Sequence, residues 1–230
     1  MHFGKNLQVL RKMAGMTQEQ LAEKLNVSRQ TISKWEQGEA LPEIEKLLEL
    51  GKTFNCSLDQ MLREQMDYSS ERCSEIRLVT VEPFRYISYV AISREPEEDA
   101  LAHVGRWAEK LNMERPRIIG WDFPQVSQEQ RSVFHMRGYG AALVLNDGQE
   151  TGGIDAEICA QGRQRYVTIT LEKVPGEEFT VIPNAYKALL TYTAINGIKE
   201  RYDPSIIPCF EHEYVDGNGT QLMDVYIAVE

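Results

Sequence analysis

The 230-residue sequence contains few of the residues that hold metal ions or disulfides. Its four cysteines, Cys56, Cys73, Cys159 and Cys209, include no C-x-x-C pair, and no two of its four histidines have H-x-x-x-H spacing. These absences exclude zinc-knuckle, dithiol-redox and metalloprotease motifs. We therefore predict reduced, partly buried thiols, no bound metal and no cofactor.

Long apolar runs are absent as well. No stretch approaches the ~18 consecutive apolar residues that cross a bilayer. The start Met-His-Phe-Gly-Lys lacks the apolar segment of a secretory signal. We expect a cytoplasmic protein with no membrane partner.

Positive charge is scarce, with 25 Lys and Arg against 35 Asp and Glu, a net charge of −10. Residues 1–38 have six basic and three acidic residues, and residues 39–66 have three basic and six acidic ones. The first 66 residues therefore sum to zero, and residues 67–230 carry the whole excess. This asymmetry indicates two domains with different partners.

Apolar residues at helical spacing predict five short amphipathic helices in the first 66 residues. The runs are Leu7, Leu10 and Met13; Leu21 and Leu25; Ile32 and Trp35; Ile44, Leu47 and Leu48; and Leu58, Met61 and Leu62. Thr17 and Gln20 have the spacing of a capping box. Ser28 is suited to cap the third helix, and Pro42 to the first turn of the fourth. Only residues 26–28 separate the second and third helices, which predicts a tight turn.

The segment TQEQLAEKLNVSRQTISKWEQG, residues 17–38, resembles the helix-turn-helix of the phage-repressor and Cro family, also called the xenobiotic-response-element family. The resemblance covers about residues 3–63. It rests on Thr17-Gln18, Leu21-Ala22, Leu25, Val27-Ser28, Thr31-Ile32, Trp35-Glu36, Gly38 and Leu41-Pro42. It implies an all-α five-helix DNA-binding domain over residues 1–66, with double-stranded operator DNA as its partner. Because so small a module binds weakly alone, we expect a homodimer that reads two half-sites.

Ile32 and Trp35 are expected to face the core, so the other side of the third helix faces outward. The predicted DNA-contacting residues are Gln18, Ser28, Arg29, Gln30, Thr31, Ser33, Lys34 and Gln37. Arginine and lysine are suited to guanine edges, and glutamine to adenine.

The resemblance implies that Gln18 holds a backbone phosphate at the positive end of the second helix. Lys5 and Arg11 are further candidates for phosphate contacts. The alternative interpretation is a helical interaction module whose third helix is merely solvated.

After a polar linker at residues 67–75, the pattern changes to alternating strands. We predict a strand pair over residues 76–93 and a helix over 95–111, and a second helix over 184–195. Further strands are predicted at 117–121, 132–136, 141–145, 154–160, 166–173, 179–182, 209–215 and 223–229. The order strand, strand, helix, strands thus occurs twice, at about residues 76–145 and 154–229. The sequence predicts an α+β domain made of two half-repeats.

This second part resembles the gyrase-inhibitor-like effector-binding domain, which occurs alone and fused to DNA-binding modules of the AraC and MerR classes. The segments that carry the resemblance are VEPFRYISYVAI, RWAEKL, RIIGWDFP and PCFEHEYVDGNGTQLMDVYIAVE. It implies that residues 76–230 form two strand-helix-strand half-repeats around a central cleft. Such clefts accept apolar or cationic small molecules, with a buried glutamate that falls here on Glu211.

Strand alternation places Glu213 on the same side as Glu211. A carboxylate among aromatic rings is suited to an organic cation, which the ring faces also attract. The candidate walls are Trp107, Trp121, Phe123, Tyr139, Tyr186, Tyr192 and Tyr214. Trp107 fits a core position as well as a pocket, and Glu211 alone would also fit a solvated strand. Alanines within GYGAALV, residues 138–144, replace a glutamate and an aromatic residue of AraC-fused relatives, so we expect a roomier or less charged pocket.

These features together predict a one-component transcriptional regulator and not an enzyme, with a small-molecule effector and no catalytic residues. Two alternatives remain open at this point. The second domain could be a hydrolase that opens strained electrophiles with Glu211 and Trp107 or Trp121, or a protein-interaction module without a ligand.

Overall fold

The computed structural model describes residues 2–64, 66, 74–172 and 178–230. The helices are α1 (Phe3–Met13), α2 (Gln18–Leu25), α3 (Arg29–Gln37), α4 (Ile44–Thr53), α5 (Leu58–Arg63), α6 (Pro96–Lys110), α7 (Gln128–Ser132) and α8 (Glu178–Ile195). The strands are β1 (Arg77–Val81), β2 (Phe84–Ser93), β3 (Arg117–Asp122), β4 (Arg137–Leu145), β5 (Ile158–Gln161), β6 (Gln164–Glu172), β7 (Cys209–Val215) and β8 (Gln221–Val229). None of the helices in these ranges is long and apolar enough to cross a membrane.

The chain divides into two compact units. The first contains Met1–Ile76, Pro175–Glu200 and Glu230, and the second contains Arg77–Val174 and Arg201–Val229. Residues 67–73 of the predicted linker lie outside the described residues. The functional boundaries at residues 66 and 76 therefore stay a prediction.

Helices α1 to α5 confirm the five helices expected in the first 66 residues, and local capping chemistry fixes their ends. The Gln20 amide donates to Thr17 Oγ1 at 3.1 Å, while Gln20 Oε1 accepts from the Thr17 amide at 2.7 Å. At the start of α3, Ser28 Oγ accepts from the Thr31 amide at 3.1 Å. Pro42 is an exception to the expectation, because it precedes the N-cap Glu43 and lies outside the first turn of α4.

The predicted tight turn between α2 and α3 is confirmed. Asn26 adopts a left-handed conformation with φ of 53°, which reverses the chain after α2. The Val27 amide then donates to the Ala22 carbonyl at 3.0 Å, and Val27 packs against the helical core. That core is built on Leu7, Leu21, Ile32 and other fully buried side chains.

The buried side chain of Asn6 ties α1 to the end of α5. Its Nδ2 donates to the carbonyls of Met61 at 2.9 Å and Glu64 at 2.7 Å, and its Oδ1 accepts from the Met66 amide at 3.0 Å. Carbonyls at a helix C-terminus have no partner within the helix, so Asn6 supplies one.

Replacing Asn6 by alanine is expected to destabilise the first unit by about 1–3 kcal/mol, because buried polar groups of Met61 and Met66 lose their partner. Chemical denaturation of the full chain, with hydrogen exchange of α1 and α5 to localise the change, measures the effect. Gln8→Ala is the control, since Gln8 is exposed on the same helix. Equal stability of the two variants would contradict the assigned role of Asn6.

Helix α8 belongs to the first unit although it follows β6 in the chain. Ile195 packs against the core of helices α1 to α5. Asn196 Nδ2 donates to the Met13 carbonyl at 3.2 Å, and Asn55 Nδ2 donates to the Ala194 carbonyl at 3.4 Å. The end of α8 is thus joined to the helical domain by packing and by hydrogen bonds.

The second unit is built on one antiparallel sheet with the strand order β1-β6-β8-β7-β3-β4-β2-β5. Strands β1 to β4 correspond in turn to strands β5 to β8. Corresponding strands lie at equal distances from the centre of the sheet, on opposite sides of it, so the two halves are related by an internal two-fold axis. Strands β3 and β7 meet at its centre, where Ile119 pairs with His212 and Gly120 with Glu211. The predicted repeat of the order strand, strand, helix and strands is confirmed.

Three strand predictions are wrong in place or type. Residues 132–136 were expected as a strand, but α7 ends at Ser132 and His135 has φ of 55°, which no extended strand adopts. Residues 179–182 belong to α8, because so short an apolar run does not distinguish strand from helix. The strand expected from residue 154 begins only at Ile158, after a turn that contains Gly152 and Gly153.

The two faces of the sheet carry different clusters. On one face α6 covers a core that includes Ile87, Tyr139, Ala141 and Val104. On the other face Ile119, Ala142 and Phe210 belong to a second core with several partly buried aromatic rings. Successive residues of a strand point to opposite faces, so each strand contributes to both.

Candidate DNA interface and effector site

The outward side of α3 presents polar side chains around a buried apolar side. Ile32 and Trp35 are buried, as the sequence predicts. Among the predicted DNA-contacting residues, Ser28, Arg29, Gln30, Lys34 and Gln37 are exposed, and Thr31 and Ser33 are partly exposed. The arrangement leaves an uncharged or basic surface on α3. The major groove of DNA is wide enough to admit a helix with such a surface.

Arg29 forms an ion pair across the turn. Its Nε lies 3.0 Å from Glu19 Oε1, and both side chains are mostly exposed. An exposed pair of this kind is worth about 0–1 kcal/mol. Arg29 can therefore exchange Glu19 for an anionic partner at small cost.

Gln18 is held in position by a buried ion pair. Its Nε2 donates to Glu36 Oε2 at 2.9 Å, and the same carboxylate accepts from Arg11 Nε at 2.6 Å and from Arg11 Nη2 at 3.1 Å. Because an amide nitrogen has two hydrogens, Gln18 keeps one donor for a phosphate at the N-terminus of α2. This network joins α1, α2 and α3.

The structure overturns the suggestion that Arg11 contacts phosphate. Arg11 is buried, and its third donor group, Nη1, reaches the Met16 carbonyl at 2.8 Å. The sequence shows that a basic residue occupies this position of α1. It does not show whether the side chain points towards DNA or into the domain. Lys5, the other candidate, is exposed.

The second candidate site is centred on Glu211 in β7. Glu211 is buried, and its Oε2 accepts a hydrogen bond from Tyr139 Oη at 3.1 Å. Tyr139 lies in β4, and the two strands are separated in the sheet by β3. The hydrogen bond therefore crosses over β3, on the face that α6 covers.

A glycine makes this contact possible. A Cβ atom on Gly120 would lie 2.2 Å from Tyr139 Oη, so only glycine lets the phenol ring pass over β3 towards Glu211. Gly140 has the same role on the opposite face, where a Cβ would lie 2.6 Å from the Trp121 ring.

Negative charge surrounds the Tyr139 hydroxyl. Burial raises the pKa of Tyr139, and the carboxylates of Glu211, Glu97 and Glu213 raise that pKa further. Tyr139 therefore stays protonated and remains a hydrogen-bond donor to Glu211. Glu211 and Glu213 both raise the pKa of Tyr139, as expected for two residues on the same side of a strand.

The predicted aromatic walls do not form a single group around Glu211. Tyr139 contacts it, and Trp107 packs at the edge of the core under α6, with its ring 4.9 Å from His103 and 6.3 Å from Tyr89. Phe123 lies against Gly138 at the end of β3.

Two other predicted walls lie on the opposite face of the sheet. Trp121 belongs to the second core, and Tyr214 stacks on His212 at 5.3 Å between ring centroids. Strand alternation separates both from Glu211, which also removes the proposed pairing of Glu211 with Trp121 in a hydrolase. Tyr186 and Tyr192 are carried by α8 in the first unit.

The described part of the chain contains no cluster of three or more His, Cys, Asp or Glu residues placed to hold a metal ion. Cys56, Cys159 and Cys209 are partly buried, as predicted. Burial raises the pKa of Cys56 to about 11, so this thiol stays protonated. Cys73 lies outside the described residues.

Comparison with known proteins identifies the first part of the chain. A family model described as "Helix-turn-helix" matches residues 7–61. These residues form a helix-turn-helix domain.

Two curated relatives are similar to this chain over a stretch of 62 residues each. The HTH-type transcriptional activator BcrR of Enterococcus faecalis is 48% identical over 62 residues, which are 27% of this chain and 30% of that protein. The HTH-type transcriptional regulator ImmR of Bacillus subtilis (strain 168) is 39% identical over 62 residues, or 27% of this chain and 49% of that protein. The chain thus spans less than half the length of both relatives.

Among solved structures, the EcmrR C-terminal domain is similar at 11% identity, with a TM-score of 0.47, over 68% of this chain and 97% of that one. Identity this low carries no information about function.

Two contributions were not predicted from the sequence. The carboxylate of Glu97, in the first turn of α6, raises the pKa of Tyr139. In the sequence, its position indicates only a favourable charge at a helix N-terminus. The buried Arg11–Glu36 pair joins α1 to α3, whereas in the sequence Glu36 is only one of the residues that resemble the family. Both depend on contacts between distant elements, which no local pattern in the sequence reports.

Proposed function

We propose that this protein is a cytoplasmic one-component transcriptional regulator and not an enzyme. Its helix-turn-helix domain binds double-stranded operator DNA, and its second domain binds a small organic cation at Glu211. The observation that carries the proposal is the exposed polar side of α3, which lies opposite buried Ile32 and Trp35 inside a helix-turn-helix domain.

DNA binding follows from the chemistry of that side. Gln30 has the paired donor and acceptor that match adenine, and Lys34 has the donors that match guanine. Gln18, oriented by Glu36, supports a phosphate contact that sets the position of α3 on the duplex. The neutral net charge of residues 1–66 makes the electrostatic contribution of one copy small, so binding by two copies is part of the proposal.

Cation binding follows from the surroundings of Glu211. A buried carboxylate that accepts from a protonated tyrosine creates a negative potential in a place of low dielectric. The exposed carboxylates of Glu97 and Glu213 add to that potential more weakly, because solvent screens them. The binding of an apolar cation is favoured by that potential and by the burial of its apolar surface. The binding of a neutral molecule is favoured only by burial. The effector is therefore an organic cation.

Regulation requires that the effector bind two states of the protein unequally. Helix α8 provides a chain connection for this coupling, since it follows β6, precedes β7 and packs with the helix-turn-helix helices. A change in the strand that carries Glu211 can then alter the position of α8 and, through it, of the DNA-binding helices.

Replacing Gln30 or Lys34 by alanine is expected to cost about 1–3 kcal/mol of specific DNA binding each and to relax the sequence preference at one position per half-site. The protein's preferred sequence is first selected from random duplexes, and fluorescence anisotropy then gives the affinity of each variant at fixed salt.

Lys110→Ala is the matched control, because Lys110 is an exposed lysine near the end of α6. An affinity loss equal to that of the control would show that α3 does not read DNA. Failure of the wild-type protein to enrich any sequence would count against operator binding altogether.

A further inference from the structure

The outward side of α4 carries an apolar stripe that no described residue covers. Leu41 is 57% exposed, Ile44 74% and Leu48 49%. They follow one another at spacings of three and four residues, so they share one side of the helix and the turn before it. Leu50, on the other side of α4, is fully buried in the helix-turn-helix core. Exposed apolar residues grouped in this way indicate a contact surface.

A groove continues this stripe towards the end of α4. It has a volume of about 450 Å³ and is lined by Leu48, Gly51, Lys52, Asn55, Cys56, Ser57 and Leu58. Gly51 has no side chain to fill it, and a Cβ there would lie 3.1 Å from the Cys56 carbonyl oxygen. The same surface thus presents a projecting ridge at Ile44 and a recess beside Gly51.

Charges at the two ends of α4 are complementary. Glu45 lies in the first turn and Lys52 in the last. At 1.5 Å of rise per residue they are about 10 Å apart along the axis, too far to pair with each other. Neither is paired with another of the described residues. Two α4 helices that pack antiparallel bring Glu45 of each copy next to Lys52 of the other.

We propose that this surface, residues Leu41, Ile44, Glu45, Leu48 and Lys52, is the contact between two copies of the chain. Leu48 lies on the two-fold axis, Ile44 of one copy enters the groove beside the partner's Gly51, and Glu45 pairs with the partner's Lys52. One surface that is its own complement is what a two-fold dimer requires. The inference rests on the proposed function, because it supplies the pair of recognition helices that two half-sites need.

Charge reversal tests the pairing in the full-length chain. Glu45→Lys and Lys52→Glu are each expected to weaken dimerisation at least tenfold by sedimentation velocity, because like charges then face each other at two symmetric places. The double variant, Glu45→Lys with Lys52→Glu, is expected to restore the wild-type dissociation constant within a few-fold. Leu48→Glu is expected to give a monomer at concentrations where the wild type is a dimer.

Val133→Glu is the control, since Val133 is an apolar residue of similar exposure, 63%, in the second unit. Circular dichroism checks that every variant is folded. A monomeric wild type, single charge reversals without effect, or a double variant that stays as weak as the single ones would overturn the proposal.

The two proposals fail differently. If α4 forms the dimer contact, the Leu48→Glu monomer still binds a single half-site weakly while losing its preference for paired half-sites. If the wild-type protein dimerises through α4 but binds no DNA, the dimer contact stands and the regulatory function falls.

Discussion

Replacing Glu36 by alanine is expected to destabilise the helix-turn-helix domain by about 3–5 kcal/mol, which is the usual cost of leaving a buried charge without its partner. Arg11 and Glu36 are both nearly inaccessible, with side-chain exposures of 10% and 3%. Removing the carboxylate leaves a guanidinium with only the Met16 carbonyl as its partner in the network. A loss of this size is a large fraction of the stability of a small domain.

Denaturant titration of the full chain, with hydrogen exchange of α1 to α3 as the local measure, determines the effect. Glu19→Ala is the matched control, because Glu19 is also a glutamate paired with an arginine in the same domain, but at an exposed site. It is expected to change stability by less than about 1 kcal/mol. If the two variants are equally stable, the buried pair does not hold α1 and α3 together.

The same variant links folding to DNA binding. Without Glu36, Gln18 loses the partner that orients its amide. Specific DNA affinity is therefore expected to fall by more than the unfolded fraction accounts for. Gln18→Ala in the stable background separates the two effects, because it removes the phosphate donor and leaves the Arg11–Glu36 pair intact.

The helix-turn-helix domain was predictable because local chemistry decides most of it. Short stretches of sequence are enough to predict the caps at Thr17 and Ser28 and the turn at residues 26–28. The structure confirms each of them. Burial of Ile32 and Trp35 followed from helical spacing. Arg11 was misjudged because the direction of a long side chain depends on Glu36, 25 residues away in the chain.

The strands were predicted less well, and the errors have physical causes. Ser127 and Gln130 form a capping box at the start of α7, a signal that the apolar residues after it concealed. Glycines at 138 and 140 hid the first half of β4, because glycine lowers strand propensity, although both glycines accommodate aromatic rings there.

In the candidate effector site, the sequence predicts only how residues of the same strand lie relative to one another. Alternation correctly joined Glu211 to Glu213, and the same rule separates both from Tyr214. The hydrogen bond from Tyr139 depends on pairing across three strands, and the packing of α8 with α1 depends on contacts over more than 180 residues of chain. Neither the hydrogen bond nor the helix packing can be predicted from the spacing of apolar residues within one element.

Replacing Glu211 by glutamine is expected to weaken the binding of a lipophilic cation such as tetraphenylphosphonium by about 2–5 kcal/mol, or roughly 30-fold or more, because the cation loses a desolvated charge partner. Glutamine has the same shape, and its amide oxygen still accepts from Tyr139. Isothermal titration calorimetry with the full chain measures the affinity. Triphenylphosphine oxide, which is similar in shape but uncharged, is expected to bind both proteins with nearly equal affinity.

Glu213→Gln is the matched variant, because Glu213 has the same charge on the same face of β7 but is exposed. It is expected to cost less than about 1 kcal/mol, since solvent screens it. Equal losses for the cation and for the neutral molecule would mean that the substitution disturbs the fold and not the charge, and an unchanged cation affinity would remove Glu211 from the site. Because Glu211 belongs to the second unit and the predicted DNA-contacting residues to the first, Glu211→Gln is expected to bind operator DNA as the wild type does and to lose only its response to the cation. That combination distinguishes a cation sensor from a DNA-binding protein whose second domain binds no effector.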